Sequence, residues 1–211
     1  MAILKKLQPA LLAAGLIILP AALLATPLAA QTIFDTGSVY QSSWGVQGES
    51  ITINSDTAQF NGIGDSGFGI GGSYNGQQGL LNFSVGVTLF FIDDEAQFSQ
   101  GVQNNLTGDQ STEKSSIDAG SLYVDGGIVY PFSERLQAGV NLGWRYFDVE
   151  RGISNCSDCY SESVGIDSDT YIKPFARFSF NERYSGSLAY YSYTGDRGME
   201  NSVQFSFEFR R

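Results

Sequence analysis

The sequence predicts an all-β fold, an eight-stranded antiparallel up-and-down transmembrane β-barrel. Three observations carry it. Large apolar residues recur at every second position over stretches of about ten residues, a strand period and not a helical one. Short and long connections between these stretches alternate strictly. The face opposite the apolar one is built from small polar residues and glycine rather than from the lysines and glutamates of a solvated surface.

The stretch 121–148 shows the pattern best. Leu122, Val124, Gly126, Ile128 and Tyr130 alternate with polar or small residues. The turn Pro131-Phe132-Ser133-Glu134-Arg135 follows, and the alternation resumes in Leu136, Ala138, Val140, Leu142, Trp144 and Tyr146. Upstream, Tyr40 to Trp44 or Ser50 to Asn54 supplies the first strand. Gly67 to Tyr74 puts large residues on one face and glycine on the other. After a turn at 75–79, Leu81, Phe83, Val85, Val87, Leu89 and Phe91 give the cleanest alternation. Downstream come Ile172, Pro174, Ala176, Phe178 and Phe180, then a turn at Asn181-Glu182-Arg183, then Tyr184, Gly186, Leu188 and Tyr190. Val203, Phe205, Phe207 and Phe209 end the series. Pro174 cannot donate to a ladder and predicts a bulge.

Connections at 75–79, 131–135 and 181–183 are short. Those at about 93–120, 149–170 and 194–201 are long. An even number of antiparallel strands with short turns at one end and long loops at the other is the pattern of a bacterial outer-membrane barrel. A soluble barrel also alternates, with its apolar side chains inside, so the polar face must decide. It reads Asn82, Ser84, Gly86, Thr88; Gln137, Gly139, Asn141, Gly143, Arg145; Ser185, Ser187, Ala189. Such residues suit a narrow, crowded lumen. The lipid-facing set is then Phe83, Val85, Val87, Leu89, Leu136, Val140, Leu142, Trp144, Phe205 and Phe207. Aromatics fall into two belts, Tyr74, Tyr130, Phe180, Tyr184 and Phe209 near the turns and Phe91, Trp144 and Tyr146 near the loops, as at two membrane interfaces.

The first thirty residues carry an address. Lys5 and Lys6 precede an apolar run, Leu11 to Leu24, and Pro27-Leu28-Ala29-Ala30 ends it in small residues. This is the tripartite pattern of a secretory signal, with cleavage expected after Ala30, leaving 31–211 as the barrel. Removing it takes away two of the 12 basic residues and none of the 22 acidic ones, a net of −12. So acidic a chain is a poor partner for nucleic-acid phosphates. Asn105-Leu106-Thr107 is a sequon of consequence only in a eukaryotic secretory pathway.

Charges on the small-polar face come in both signs. Asp125, Arg145 and Lys173 lie toward the long-loop ends, Arg177 and Glu208 toward the turns. Buried charges persist when paired, so these five are expected to form two layers of interior ion pairs. Cys156-Ser157-Asp158-Cys159 sits in a long loop of an exported chain, where a small Cys156–Cys159 disulfide is expected. Zinc would want about four ligands and the chain has no histidine. Gly62-Ile63-Gly64-Asp65-Ser66-Gly67 matches a dinucleotide fingerprint but precedes a strand instead of a helix. No cofactor or metal is expected. Residues 93–120 hold six carboxylates and one lysine, and 148–170 hold six and one arginine. Asp167-x-Asp169 has oxygen-ligand spacing but not the rest of a calcium loop. These loops read as a solvated acidic surface.

The turns Pro131–Arg135 and Phe180–Tyr184, their flanking strands and the last strand resemble the small eight-stranded outer-membrane barrels, namely the OmpA-type transmembrane domain and the opacity-like or YfaZ-like proteins. Val203-x-Phe205-x-Phe207-x-Phe209 resembles the C-terminal strand that the outer-membrane assembly machinery reads, although Arg210 and Arg211 follow where the family ends on the aromatic. The resemblance implies an outer-membrane protein of envelope integrity or surface contact, with specificity in the loops. Barrels that modify lipid A use a histidine, and without one a Ser-His arrangement is impossible here. The expected protein is a non-enzymatic monomer with outer-membrane lipid and the assembly machinery as partners and a plugged or very narrow lumen. A narrow channel and a soluble exported ligand-binding barrel stay open as alternatives.

Overall fold

The computed structural model describes residues 39–103, 108, 110–153 and 159–210. The signal segment and Ala30, the sequon at Asn105 and Cys156 lie outside these residues.

Among the described residues, eleven strands and one helix follow in order. They are β1 (Gln41–Ile53), α1 (Ser55–Asn61), β2 (Ile63–Gln78), β3 (Leu81–Asp94), β4 (Ser99–Gln103), β5 (Gln110–Lys114), β6 (Ser116–Pro131), β7 (Leu136–Gly152), β8 (Ser161–Ser163), β9 (Asp169–Ser179), β10 (Tyr184–Tyr193) and β11 (Met199–Arg210). Eight of them close a ring, β1-β2-β3-β6-β7-β9-β10-β11, with β11 paired antiparallel to β1 and every neighbouring pair antiparallel. The protein is a closed eight-stranded antiparallel barrel. β4 and β5 form a separate hairpin above it, and β8 extends the sheet beside the loop end of β7.

Side chains and glycine shape the three short turns. Ser133 Oγ accepts from the backbone N–H groups of Arg135 and Leu136, and Asn181 Oδ1 from those of Arg183 and Tyr184, side-chain turns that replace a backbone bond. Between β2 and β3 the turn is Gly79-Leu80, and Gly79 takes φ 60°. At the opposite end Asn54 caps α1, accepting from Asp56 and Thr57, and Gly62 terminates it in the left-handed conformation.

Several boundaries differ from the sequence reading. Both candidate first strands belong to the single β1, because the interval between them keeps the alternation through inward Gly45, Gln47 and Glu49. The expected turn at 75–79 shrinks to two residues, and the long loops narrow because β6 starts at Ser116 and β7 runs to Gly152. Pro174 makes no bulge. The β9–β10 register is the same on both sides of it, Ala189 with Phe175 and Ser192 with Ile172, and only the intervening pairs drop out. Losing one donor costs a ladder bond, not a residue of register.

Candidate functional site

Two faces define what this barrel can do. The exterior holds Phe83, Val85, Val87, Leu89, Leu136, Leu142, Trp144 and Phe205 exposed, Leu142 by 65% and Phe205 by 58%, with Val140 and Phe207 half-buried. On β7 the apolar exterior runs from Leu136 to Tyr146. The ten steps between them, at about 3.3 Å each and tilted about 40°, span about 25 Å along the barrel axis. At the turn end Trp44, Tyr74, Tyr130, Phe132, Phe180, Tyr184 and Phe209 meet in ring contacts such as Trp44–Tyr74 at 5.0 Å and Tyr184–Phe209 at 5.7 Å, and Trp144–Tyr146 at 6.2 Å marks the other end.

Above Tyr146 the polarity of the two faces exchanges while the side chains keep their sides. Asp148 and Glu150 now point outward, and Phe147 and Val149 point inward. β6 does the same with outward Asp118 and inward Ile117 and Ala119, β3 with outward Asp93 and inward Ile92, and β1 with outward Thr52 and inward Ile51 and Ile53. Over this rim the barrel obeys the ordinary rule of apolar inside and polar outside. Its small core takes in Ala58 of α1 and Val164 and Ile166 of the β8–β9 connection.

The interior below is organised in layers. Nearest the turns, Arg177 Nε donates to Glu208 Oε1 at 3.1 Å and Nη1 to Gln77 Oε1 at 3.3 Å, while Ser43 Oγ donates to Glu208 Oε2 at 2.9 Å. In the middle, Lys173 Nζ pairs with Asp125 Oδ2 and donates to Ser84 Oγ at 3.0 Å, and Tyr171 donates to the same carboxylate at 2.8 Å. Next, Arg145 makes a fork on Glu49 at 2.6 and 3.0 Å, both side chains fully buried. Five rings surround its guanidinium, with Tyr191 at 4.8 Å and Tyr123 at 4.9 Å foremost. Tyr123 also donates to Gln47 Oε1, and Gln47 Nε2 to Thr88 Oγ1, each at 2.9 Å.

A fourth cation holds the loop-end rim together. Arg151 donates to Asp94 and Glu162, both at 2.8 Å, and to the carbonyls of Asn61 and Gly62 that end α1, at 2.7 and 2.8 Å. Burial alone would lower the affinity of this guanidinium for its proton, but the bonds to Glu162 and Asp94 outweigh it and hold the pKa above the usual arginine value.

Each of the five expected interior charges is buried with a partner, but the grouping differs from the expected two layers. The three expected together toward the loops divide, Asp125 and Lys173 pairing in mid-barrel and Arg145 lying beyond them. Arg145 takes Glu49, which sequence reasoning missed because β1 does not read as one strand. The signal was there, an odd-numbered acid in step with Gly45 and Gln47. Arg151 and Asp94 were missed because both lie in segments that read as loops. Cys159 is described and Cys156 is not, so their pairing falls outside the described residues.

No protein-family model matches the chain, and no curated protein matches its sequence. Solved structures similar to it include Ail, the attachment invasion locus protein of Yersinia pestis, at 12% identity over 82% of this chain and 97% of that one, TM-score 0.48. Neisserial surface protein A is similar at 9% identity over 81% and 94%, TM-score 0.47. A major outer membrane protein from Thermus thermophilus is similar at 11% identity over 81% and 99%, TM-score 0.36.

Proposed function

We propose that this chain is an integral outer-membrane protein whose barrel is an anchor with a plugged lumen and whose acidic loops act at the cell surface. One observation carries the reading. The outward faces are free of charge over about 25 Å, the height of an outer-membrane apolar band, and turn acidic above it where the inward faces turn apolar. A barrel dissolved in water would keep one polarity throughout. In the lumen, the side chains of Arg145, Lys173 and Arg177 reach partners on other strands across the interior, which supports closure over conduction. Eight strands leave room for side chains or one small ligand.

The role is structural or one of surface interaction and not enzymatic. In the interior the carboxylates of Glu49, Asp125 and Glu208 each accept from a cation and are taken up in holding the lumen together. The mature chain begins at Gln31, is inserted by the outer-membrane assembly machinery, stands as a monomer and carries a Cys156–Cys159 bridge in the β7–β8 loop.

Cell fractionation with heat-dependent gel mobility tests the membrane reading. The protein should stay with outer membranes and migrate differently before and after boiling. Recovery in the soluble periplasm without a mobility shift would refute it. Planar-bilayer recordings test closure, and steady single-channel conductance would turn the reading to a narrow channel. Sequencing the purified protein should return Gln31 first, and a thiol assay without reductant should find no reactive cysteine.

A further inference from the structure

Between the Lys173–Asp125 layer and the Arg177–Glu208 layer lies a cavity of about 20 Å³, with Tyr123 and Lys173 on its loop side and Arg177 and Glu208 on its turn side. Three buried polar atoms on its wall have no partner among the described residues, namely Asn82 Oδ1, Asn141 Oδ1 and Gln204 Nε2. Their residues are 8%, 1% and 5% exposed. A buried amide atom left without a hydrogen bond is costly, so three of them around one cavity mark a binding place. Two acceptors and one donor are the complement of a water molecule, which gives two hydrogen bonds and takes others. The volume suits one or two, since about 10–15 Å³ admits one. A cation there would face Lys173, and an anion would face two amide oxygens and Glu208.

A smaller hollow of about 10 Å³ opens at the turn-end mouth, lined by Gln41, Ser43, Gln77 and Arg210. Asn75, Arg177 and Glu208 line both spaces, so the Arg177–Glu208 pair is the wall between them. On the loop side the way is shut by the rings about Arg145. Tyr171–Tyr191 are 4.9 Å apart, Tyr191–Tyr193 6.2 Å and Phe90–Phe147 6.3 Å, with the apolar core of the rim above them.

We propose that the barrel contains a dead-end aqueous chamber, holding one or two ordered waters and exchanging with solvent at the turn end only, with the Arg177–Glu208 pair as its door. The waters join the two ion-pair layers and satisfy Asn82, Asn141 and Gln204. The chamber depends on the interior alone and stands whether or not the exterior meets lipid. It also makes the closed lumen one-sided.

Two measurements test it. In a crystal structure of the unmodified chain at a resolution that orders waters, at least one water should lie within hydrogen-bond distance of two of the three amides. A dry cavity, or an ion in its place, would overturn the proposal. The second uses a Cys156→Ser/Cys159→Ser background carrying Ser206→Cys, whose position lines the chamber, or Thr88→Cys, whose position lies one inward step beyond Tyr123. Aminoethyl methanethiosulfonate is added to the folded protein. Adding Arg177→Ala/Glu208→Ala should speed modification of Ser206→Cys at least tenfold and leave Thr88→Cys protected. An unchanged rate at Ser206→Cys, or equal labelling at Thr88→Cys, would overturn it. If the opened variant shows no folded gel band, the crystallographic water decides.

Discussion

Removing one partner of the Arg145–Glu49 pair gives unequal losses. Arg145→Met leaves Glu49 as a fully buried carboxylate that, among the described residues, keeps the Ser202 hydroxyl as a donor. Stranding a buried charge in this way costs about 3–5 kcal/mol. Glu49→Gln is milder. The amide still offers an oxygen, Arg145 keeps its bond to Tyr193, and the rings at 4.8 and 4.9 Å remain. Each such contact is worth about 2 kcal/mol when desolvated, which keeps the expected cost to about 1.5–3 kcal/mol, the value of one hydrogen bond to a charge. In the double variant Arg145→Met/Glu49→Gln no uncompensated charge is left. It should therefore be more stable than Arg145→Met alone, with a coupling of at least about 2 kcal/mol. Urea unfolding from lipid vesicles, followed by fluorescence of Trp44 and Trp144 and by the gel mobility of the folded form, measures all four corners of the cycle. A double variant whose cost equals the sum of the singles within about 0.5 kcal/mol would refute the claim that Arg145 and Glu49 stabilise one another.

Val140, midway along the apolar exterior of β7, tests the other face. Val140→Arg should cost about 2–4 kcal/mol in the same unfolding assay if the residue meets the bilayer midplane, and a negligible cost would place it elsewhere. A side chain at Gly71 would put its Cβ 2.1 Å from the Val87 carbonyl oxygen, whereas at Gly120 the nearest atom would be 3.8 Å away. Gly71→Ala should thus cost about 1–3 kcal/mol as an overpacking substitution, and Gly120→Ala should leave the unfolding midpoint almost unmoved. Arg151→Met removes four bonds that tie α1, β3 and β8 to β7. It should speed protease cleavage within 54–62 several-fold without changing the gel shift of the barrel, and unchanged cleavage would show that the rim core alone holds α1.

How much is legible in the sequence depends on whether the outward face is apolar or polar. Where it is apolar, alternation is nearly pure, as in Leu81 to Phe91 and Leu136 to Tyr146, and these strands read in place. Above the rim the phase persists but the polarity inverts, so Asp148-Val149-Glu150 and Ser116-Ile117-Asp118 look like loop and are strand. β1 divides because Gly48 interrupts its outward apolar face, and with the division Glu49 is lost. The β4–β5 hairpin is made almost wholly of polar residues and leaves no periodic trace.

The sequence by itself determined the strand number, the alternation of short and long connections, the two faces and the presence of charges of both signs on the inner one. These are properties of a period of two, which any chain displays in its order of residues. Only the tertiary structure decided which charge meets which. Tilted strands in a closed ring bring Glu49 of β1 to Arg145 of β7 and Asp125 of β6 to Lys173 of β9, across the lumen and not between hydrogen-bonded neighbours. Stagger and closure set these meetings, and both come from how eight strands fit around a core.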